Sequence, residues 1–198
     1  MNKNTYDIYF DLGSSKLRVA GFDKKEKNQI FFFDKNCLSN LKSSQLELLD
    51  TEKTIDKTII EIEKKTGEHL KDINLMLDTP DAISIILSVS KQNEKKNISK
   101  KDIQYLIQDA KQQILSSNQD KNIIHIIINN YRVDDKNFET LPLNMECKKL
   151  SIDIVFICFP KVIVENLKKL FSKHQISINQ FICSSYAKSF NYKNHFTK

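Results

Sequence analysis

The stretch Tyr6 to Phe22, YDIYFDLGSSKLRVAGF, limits the folds open to this chain more than any other. Apolar and β-branched residues alternate with polar ones from Tyr6 to Phe10 and again from Lys16 to Phe22. That period predicts two half-buried strands. Between them lies Asp11-Leu12-Gly13-Ser14-Ser15, which reads as a turn. A glycine permits φ > 0 and close approach to the backbone, and successive N–H groups can then surround one anion. An acid at the strand end is placed to hold a metal-bound water beside a phosphate. An ordinary hairpin uses the same residue types, so the stretch alone leaves both readings open.

The order of the remaining elements follows from periodicity and punctuation. Gln29 to Phe33 predicts a third strand after the charged turn Asp23 to Lys27, giving a meander. Residues 34–44 read as a loop and Leu46 to Leu48 as a short edge strand. Asp50 or Thr51 is the expected cap of a helix to about Thr66, with Ile55, Ile59 and Ile62 on one face and Gly67 at its end. Asp72 to Asp78 is a continuous apolar run, expected to be a strand buried on both faces. Thr79-Pro80-Asp81 marks a boundary.

Beyond it, Ile83 to Val89 predicts a strand and Lys91 to Asn97 a charged link. Ser99 with Asp102 three residues on predicts a capping box, followed by Ile103, Leu106, Ile107, Ala110 and Ile114 at helical spacing. Strands are expected at Asn122 to Asn129 and Leu150 to Phe159, separated by the turn Tyr131 to Asp135 and the loop Lys136 to Lys148. Pro160 opens a helix through Ile163, Leu167, Leu170 and Phe171. This second unit reads β-α-β-β-α up to residue 178. Gln180 to Cys183 then forms a last short strand, and Ser184-Ser185 caps a closing helical turn.

Composition narrows the function classes. The net charge of +6 is uneven: residues 81–198 carry 18 Lys/Arg against 11 Asp/Glu, while residues 1–80 are nearly balanced. Lysine outnumbers arginine 29 to 2, a codon-bias signature that explains much of this surplus. Solvated lysine faces therefore account for the charge before an acidic partner does, and no nucleic-acid partner is expected. Cys37, Cys147, Cys158 and Cys183 are widely spaced, without a CxxC pair, which suits a reducing cytoplasm. No apolar run reaches the roughly 18–20 residues a membrane span needs, so no direct membrane anchor is expected. His125 sits among isoleucines with no second ligand at metal spacing, which predicts a structural histidine and no metal site. Phe31-Phe32-Phe33 reads as strand core. No nucleophile elbow, P-loop or carboxylate pair is present, so no catalytic residue is assigned.

The order of parts resembles FtsA, the actin-like ATPase of bacterial cell division. The residues behind the resemblance are the strand–DLGSSK–strand opening and the inserted unit with IIHIIINNYRVDD followed by LPLNM. Within that unit His125, Tyr131, Asp134 and Pro142-Leu143-Asn144-Met145 match the family's His-bearing strand, Tyr/Asp exit and N-P-x-G-M-type loop. Asn144 departs from it, standing where the family has glycine.

The resemblance implies an α/β (α+β) fold: a partial actin/hexokinase-like, ribonuclease-H-type subdomain over 1–79 and 179–198, with the inserted subdomain over 80–178. It implies ATP and Mg as cofactors, with Asp11 near the metal and Gly13, Ser14, Ser15 and Lys16 around the phosphates. The family's second phosphate loop and adenosine pocket have no counterpart in this sequence, so one wall of the site is expected, and neither tight ATP binding nor hydrolysis by this chain alone is. It implies a protein–protein module of the division machinery, with division proteins bound through 80–178 at the inner face of the cell membrane. The alternative is one half of a split ATPase that binds ATP only with a second FtsA-like half or subunit.

Overall fold

The computed structural model describes residues 5–36 and 49–196, and the side chains of residues 49, 50 and 191–196 lie outside what is described. Cys37, most of the expected loop and the expected edge strand at Leu46 to Leu48 therefore fall outside it. Contacts divide the chain into two compact units, residues 1–81 with 160–198, and residues 82–159.

The first unit is built on five strands: β1 (Tyr6–Leu12), β2 (Lys16–Asp23), β3 (Gln29–Asn36), β4 (Asp72–Leu77) and β9 (Ser177–Cys183). Their order is β3-β2-β1-β4-β9. The meander β1-β2-β3 is antiparallel, and β4 and β9 add in parallel to β1. The parallel additions need crossovers, supplied by helices α1 (Leu49–Thr66) and α3 (Lys161–Ser172). Helix α1 begins before the expected cap, so Asp50 and Thr51 lie in its first turn. It ends where expected: Gly67 takes φ +69° and its N–H reaches the Glu63 carbonyl.

One sheet face carries the core. Ile8, Phe10, Leu12, Leu17 and Val19 are buried there with Ile73, Leu75 and Leu77. Ile55, Ile59 and Ile62 of α1 and Leu167, Leu170 and Phe171 of α3 are buried too, and Phe10 meets Phe171 edge-to-face at 5.4 Å. The other face is only partly covered, and β4 alternates buried and half-buried residues. The expectation that β4 is buried on both faces is thus corrected. Its apolar Met76 lies with Tyr9, Ala20, Phe22 and Phe32 along a shallow cavity of about 310 Å³ on that second face.

The second unit contains β5 (Ile83–Asn97), α2 (Lys100–Ser117), β6 (Lys121–Val133), β7 (Lys136–Phe138) and β8 (Glu146–Pro160). The sheet order is β5-β8-β6-β7. Helix α2 buries Ile103, Leu106, Ala110 and Ile114 against Leu150, Ile152, Ile154 and Phe156 of β8. Its start is the expected capping box: Ser99 accepts from the Asp102 N–H, and Asp102 accepts from the Ser99 N–H at 2.8 Å. Lys91 also grips Asp102, and that contact holds its carboxyl well down, at about 2.

Three expectations about this unit change. The charged link Lys91 to Asn97 continues strand β5 through a bulge, with Glu94 and Lys95 at positive φ and buried Asn93 donating to the Lys96 carbonyl at 2.7 Å. The long loop holds β7 and the start of β8. Finally, the helix opened by Pro160 lies in the first unit, so the boundary falls after residue 159 instead of 178. Its apolar stripe was legible, but only the pairing of Phe171 with Phe10 decides which sheet it covers. Among the described residues, no helix is long and apolar enough to cross a membrane.

Candidate functional site

The parallel strands β1, β4 and β9 end side by side: Leu12 pairs with Leu77, and Leu77 with Cys183. Ligands of open α/β sheets bind outside the carboxyl ends of such strands. Three polar residues sit at those ends, Asp11, Asp78 and Ser184, the last opening helix α4 (Ser184–Phe196). Sequence reading expected only one closing turn there; the helix runs 13 residues.

These ends border a cavity of about 490 Å³, lined by Asp11 to Lys16, Arg18, Asp78 to Pro80, Ser184 and Lys188. All five residues singled out from the sequence (Asp11, Gly13, Ser14, Ser15 and Lys16) line it. The turn is tied by the Gly13 N–H donating to the Lys16 carbonyl at 2.9 Å. That N–H is spent inside the turn. Gly13 is not at positive φ, so its use is space, since a Cβ would stand 3.3 Å from the Lys16 carbonyl oxygen. Ser14 and Ser15 are exposed at the tip.

The charges are cross-braced. Asp11 accepts from Ser184 Oγ at 2.8 Å and faces Arg18 Nη1 at 3.6 Å. Lys16 Nζ donates to Asp34 at 3.1 Å, and Arg18 Nε lies 3.6 Å from the same carboxylate. Asp78 accepts from the Ser185 N–H at 2.9 Å and from Ser185 Oγ at 2.8 Å. It therefore caps α4, filling with a protein carboxylate the place where a helix N-terminus would draw a free anion. Cys183 Sγ also reaches Asp78, at 3.5 Å, and burial pushes this thiol's pKa up.

Sequence reading missed Arg18, Asp78, Thr79, Pro80, Ser184 and Lys188 as members of this group. Asp78 and Ser184 had one signal, a polar residue directly after an apolar strand. Their meeting depends on β4 and β9 lying parallel beside β1, which no local pattern encodes.

Among the described residues no group of three or more His, Cys, Asp and Glu is placed to hold a metal ion. Magnesium is held by one or two carboxylates completed by phosphate and water. Asp11 and Asp78, the latter engaged by Ser185, are the carboxylates lining this cavity, with Lys16, Arg18 and Lys188 as its cations and Ser14 and Ser15 as exposed hydroxyls. His125 belongs to β6 in the other unit, where burial pushes its pKa down.

Residues 81–158 match the family model of the SHS2 domain inserted in FtsA, nearly the same span that contacts delimit as the second unit. The resemblance to FtsA is borne out by that match. Among solved structures, the chain is similar to one from a "PilM-PilN type IV pilus biogenesis complex", with TM-score 0.60 at 8% identity, over 96% of this chain and 50% of that one. A protein with actin-like ATPase fold from Bacteroides thetaiotaomicron overlaps at TM-score 0.41 and 12% identity, over 96% and 56%. The cytoplasmic domain of EpsL, from the type II secretion system of Vibrio cholerae, overlaps at TM-score 0.38 and 9% identity, over 90% and 55%. The chain thus spans about half the length of the solved chains it matches. No curated protein matches the sequence. At 8% identity the likeness to the chain of the pilus complex speaks to fold alone.

Proposed function

We propose that this FtsA-like chain is a component of a bacterial division machinery, working in the cytoplasm at the inner face of the membrane. Its SHS2 unit is the protein-binding part. The observation behind this reading is the coincidence of the FtsA-insert match, residues 81–158, with a unit that closes around its own core, residues 82–159. That the first solved neighbour comes from a two-protein complex agrees with a role in binding protein. The test is crosslinking of the full chain in dividing cells from photoreactive residues on the exposed faces of the unit. Recovery of division proteins is the expected result. Crosslinks to none of them, or a fluorescent fusion absent from the division site, would overturn the reading.

A second reading is favoured by the cavity at the strand ends. Here the chain supplies one wall of a Mg-ATP site, and the nucleotide is held only when a second lobe closes on it, in the same or another polypeptide. When bound, the nucleotide would supply the phosphates that complete a magnesium shell. Asp11 would orient a metal-bound water, the exposed hydroxyls of Ser14 and Ser15 would donate to phosphate oxygens, and Lys16 would neutralise them after release from Asp34. Calorimetry with Mg-ATP separates the two readings: affinity that appears only when a second lobe is added, and that Asp11→Asn with Lys16→Ala abolishes, supports the one-wall reading, whereas no binding with the lobe present overturns it.

A further inference from the structure

We infer that the free edge of β5 is a docking edge for an extended, acidic-ended segment of a partner protein, which adds to the second unit's sheet as a fifth strand. Among the described residues, β5 stands at the end of the order β5-β8-β6-β7, with β8 as its one neighbour. Its pairing with β8 is unbroken from Ile83↔Cys158 to Gln92↔Lys149. Every second residue of an edge strand turns its N–H and C=O away from the sheet, which makes the edge a template for another strand. Proteins protect such edges with charges, prolines or bulges. From Ile83 to Ser90 this strand has no charge and no proline, and its bulge comes only between Gln92 and Lys96. Ile86, at the middle of the stretch, is 73% exposed and flanked on the same face by exposed Ser84 and Ser88. It is an apolar anchor with small neighbours, which suits a partner side chain across the strand.

Charge selects the occupant. Immediately after the edge come Lys91, Lys95, Lys96, Lys100 and Lys101 against Glu94 and Asp102. Lys91 is taken by Asp102 and Lys96 by Glu94. Lys95, Lys100 and Lys101 are exposed and have no ion-pair partner among the described residues. A second copy pairing antiparallel along the same edge would set these lysine-rich ends apart without bringing a run of carboxylates to either, so it answers the edge but not the lysines. A strand of alternating β-branched residues ending in carboxylates meets both requirements, backbone pairing along Ile83 to Ser90 and attraction at the lysines.

The inference rests on the second unit being the protein-binding part, and its test is separate from the crosslinking above. The full, 15N-labelled chain is titrated with synthetic peptides of alternating valine and threonine. They end in three glutamates at either terminus, or in three lysines, or carry a central proline. A glutamate-ended peptide is expected to shift the amides of residues 84–90 and to slow exchange at alternate positions among them. The lysine-ended and proline-broken peptides are expected to bind about tenfold more weakly or not at all. Ile86→Lys, a change at an exposed side chain, should remove binding with the fold intact. Lys95→Glu with Lys100→Glu should reverse the preference between peptide ends. Equal binding of the proline-broken peptide, indifference to end charge, or no shift at millimolar peptide would overturn the inference. So would a dimer that Ile86→Lys dissolves. If those results came while crosslinks to division proteins persisted, only the edge assignment would fall.

Discussion

Ser184 Oγ donates to Asp11 Oδ1 at 2.8 Å, joining residues 173 positions apart in the chain. Ser184 is buried at 2% exposure, whereas the Asp11 side chain keeps 22% and faces the cavity. One hydrogen bond therefore fixes a cavity carboxylate to the start of α4. It leaves the other oxygen of Asp11 to Arg18 at 3.6 Å.

Ser184→Ala is expected to lower stability by about 1 kcal/mol, the usual net worth of such a bond. In an Asp11→Asn background the same change should cost less, because the charge-assisted acceptor is already gone. Urea unfolding of the four proteins measures this coupling. Equal costs in both backgrounds would show that Ser184 acts through packing alone.

Ser99→Ala removes the side-chain half of the capping box and should cost about 1 kcal/mol of stability. Asp102, the reciprocal partner, has its carboxyl lowered from 3.8 to about 2, chiefly by Lys91 and then by Ser99. A depressed carboxylate contributes stability that is full above its unfolded value and is lost as pH falls toward its folded value. Acid unfolding should thus steepen between about pH 4 and pH 2 in the parent. Asp102→Asn should be less stable at neutral pH and flatter across that window.

His125 titrates with a consequence of the same sign in a higher pH window. Burial lowers its pKa below the ordinary 6.5, so the folded chain resists the proton that the unfolded chain accepts. Its contribution to stability is full when both states are neutral and declines as pH falls through the unfolded value. Chemical denaturation from about pH 7.5 to 5.5 should show this decline, and His125→Gln should flatten it. An NMR titration placing the His125 midpoint above 6.5 would contradict the assignment.

Two glycines should respond differently to alanine. A Cβ at Gly21 would stand 2.3 Å from the ring of Phe31, itself 3% exposed, so Gly21→Ala must displace a core aromatic. Overpacking of that kind costs about 1–3 kcal/mol. At Gly13 the nearest atom is the Lys16 carbonyl oxygen at 3.3 Å, and a shift of a few tenths of an ångström relieves it. Thermal unfolding should rank Gly21→Ala well below Gly13→Ala; the reverse order would mean that the turn is the stiffer of the two.

Legibility in the sequence followed the range of the interaction. The hairpin from Tyr6 to Asp23, the Ser99/Asp102 box and the Gly67 stop are local, and their residues name them directly. The bulge in β5 was not legible, because Lys91 to Asn97 reads as solvated charge until Asn93 is seen buried and bonded to Lys96. The two-sided burial expected for β4 failed for a related reason: an apolar run records what a strand tolerates, not which faces are covered. At the cavity, Asp11, Gly13, Ser14, Ser15 and Lys16 were legible as one contiguous turn. Asp78, Ser184 and Lys188 were not, since they reach it from β4 and α4.

By itself the sequence determined most of the elements, the polar turn at 11–16 and the FtsA-like order of parts, because periodicity and punctuation act over a few residues. Only the tertiary structure decided that α3 belongs with the first unit, that Gly13 serves by its size and not by φ, and that Asp11 is braced by Ser184. The first and the last depend on parallel pairing of β1, β4 and β9, an arrangement of distant segments that no single segment's chemistry specifies, while Gly13 is set by the closing of its own turn.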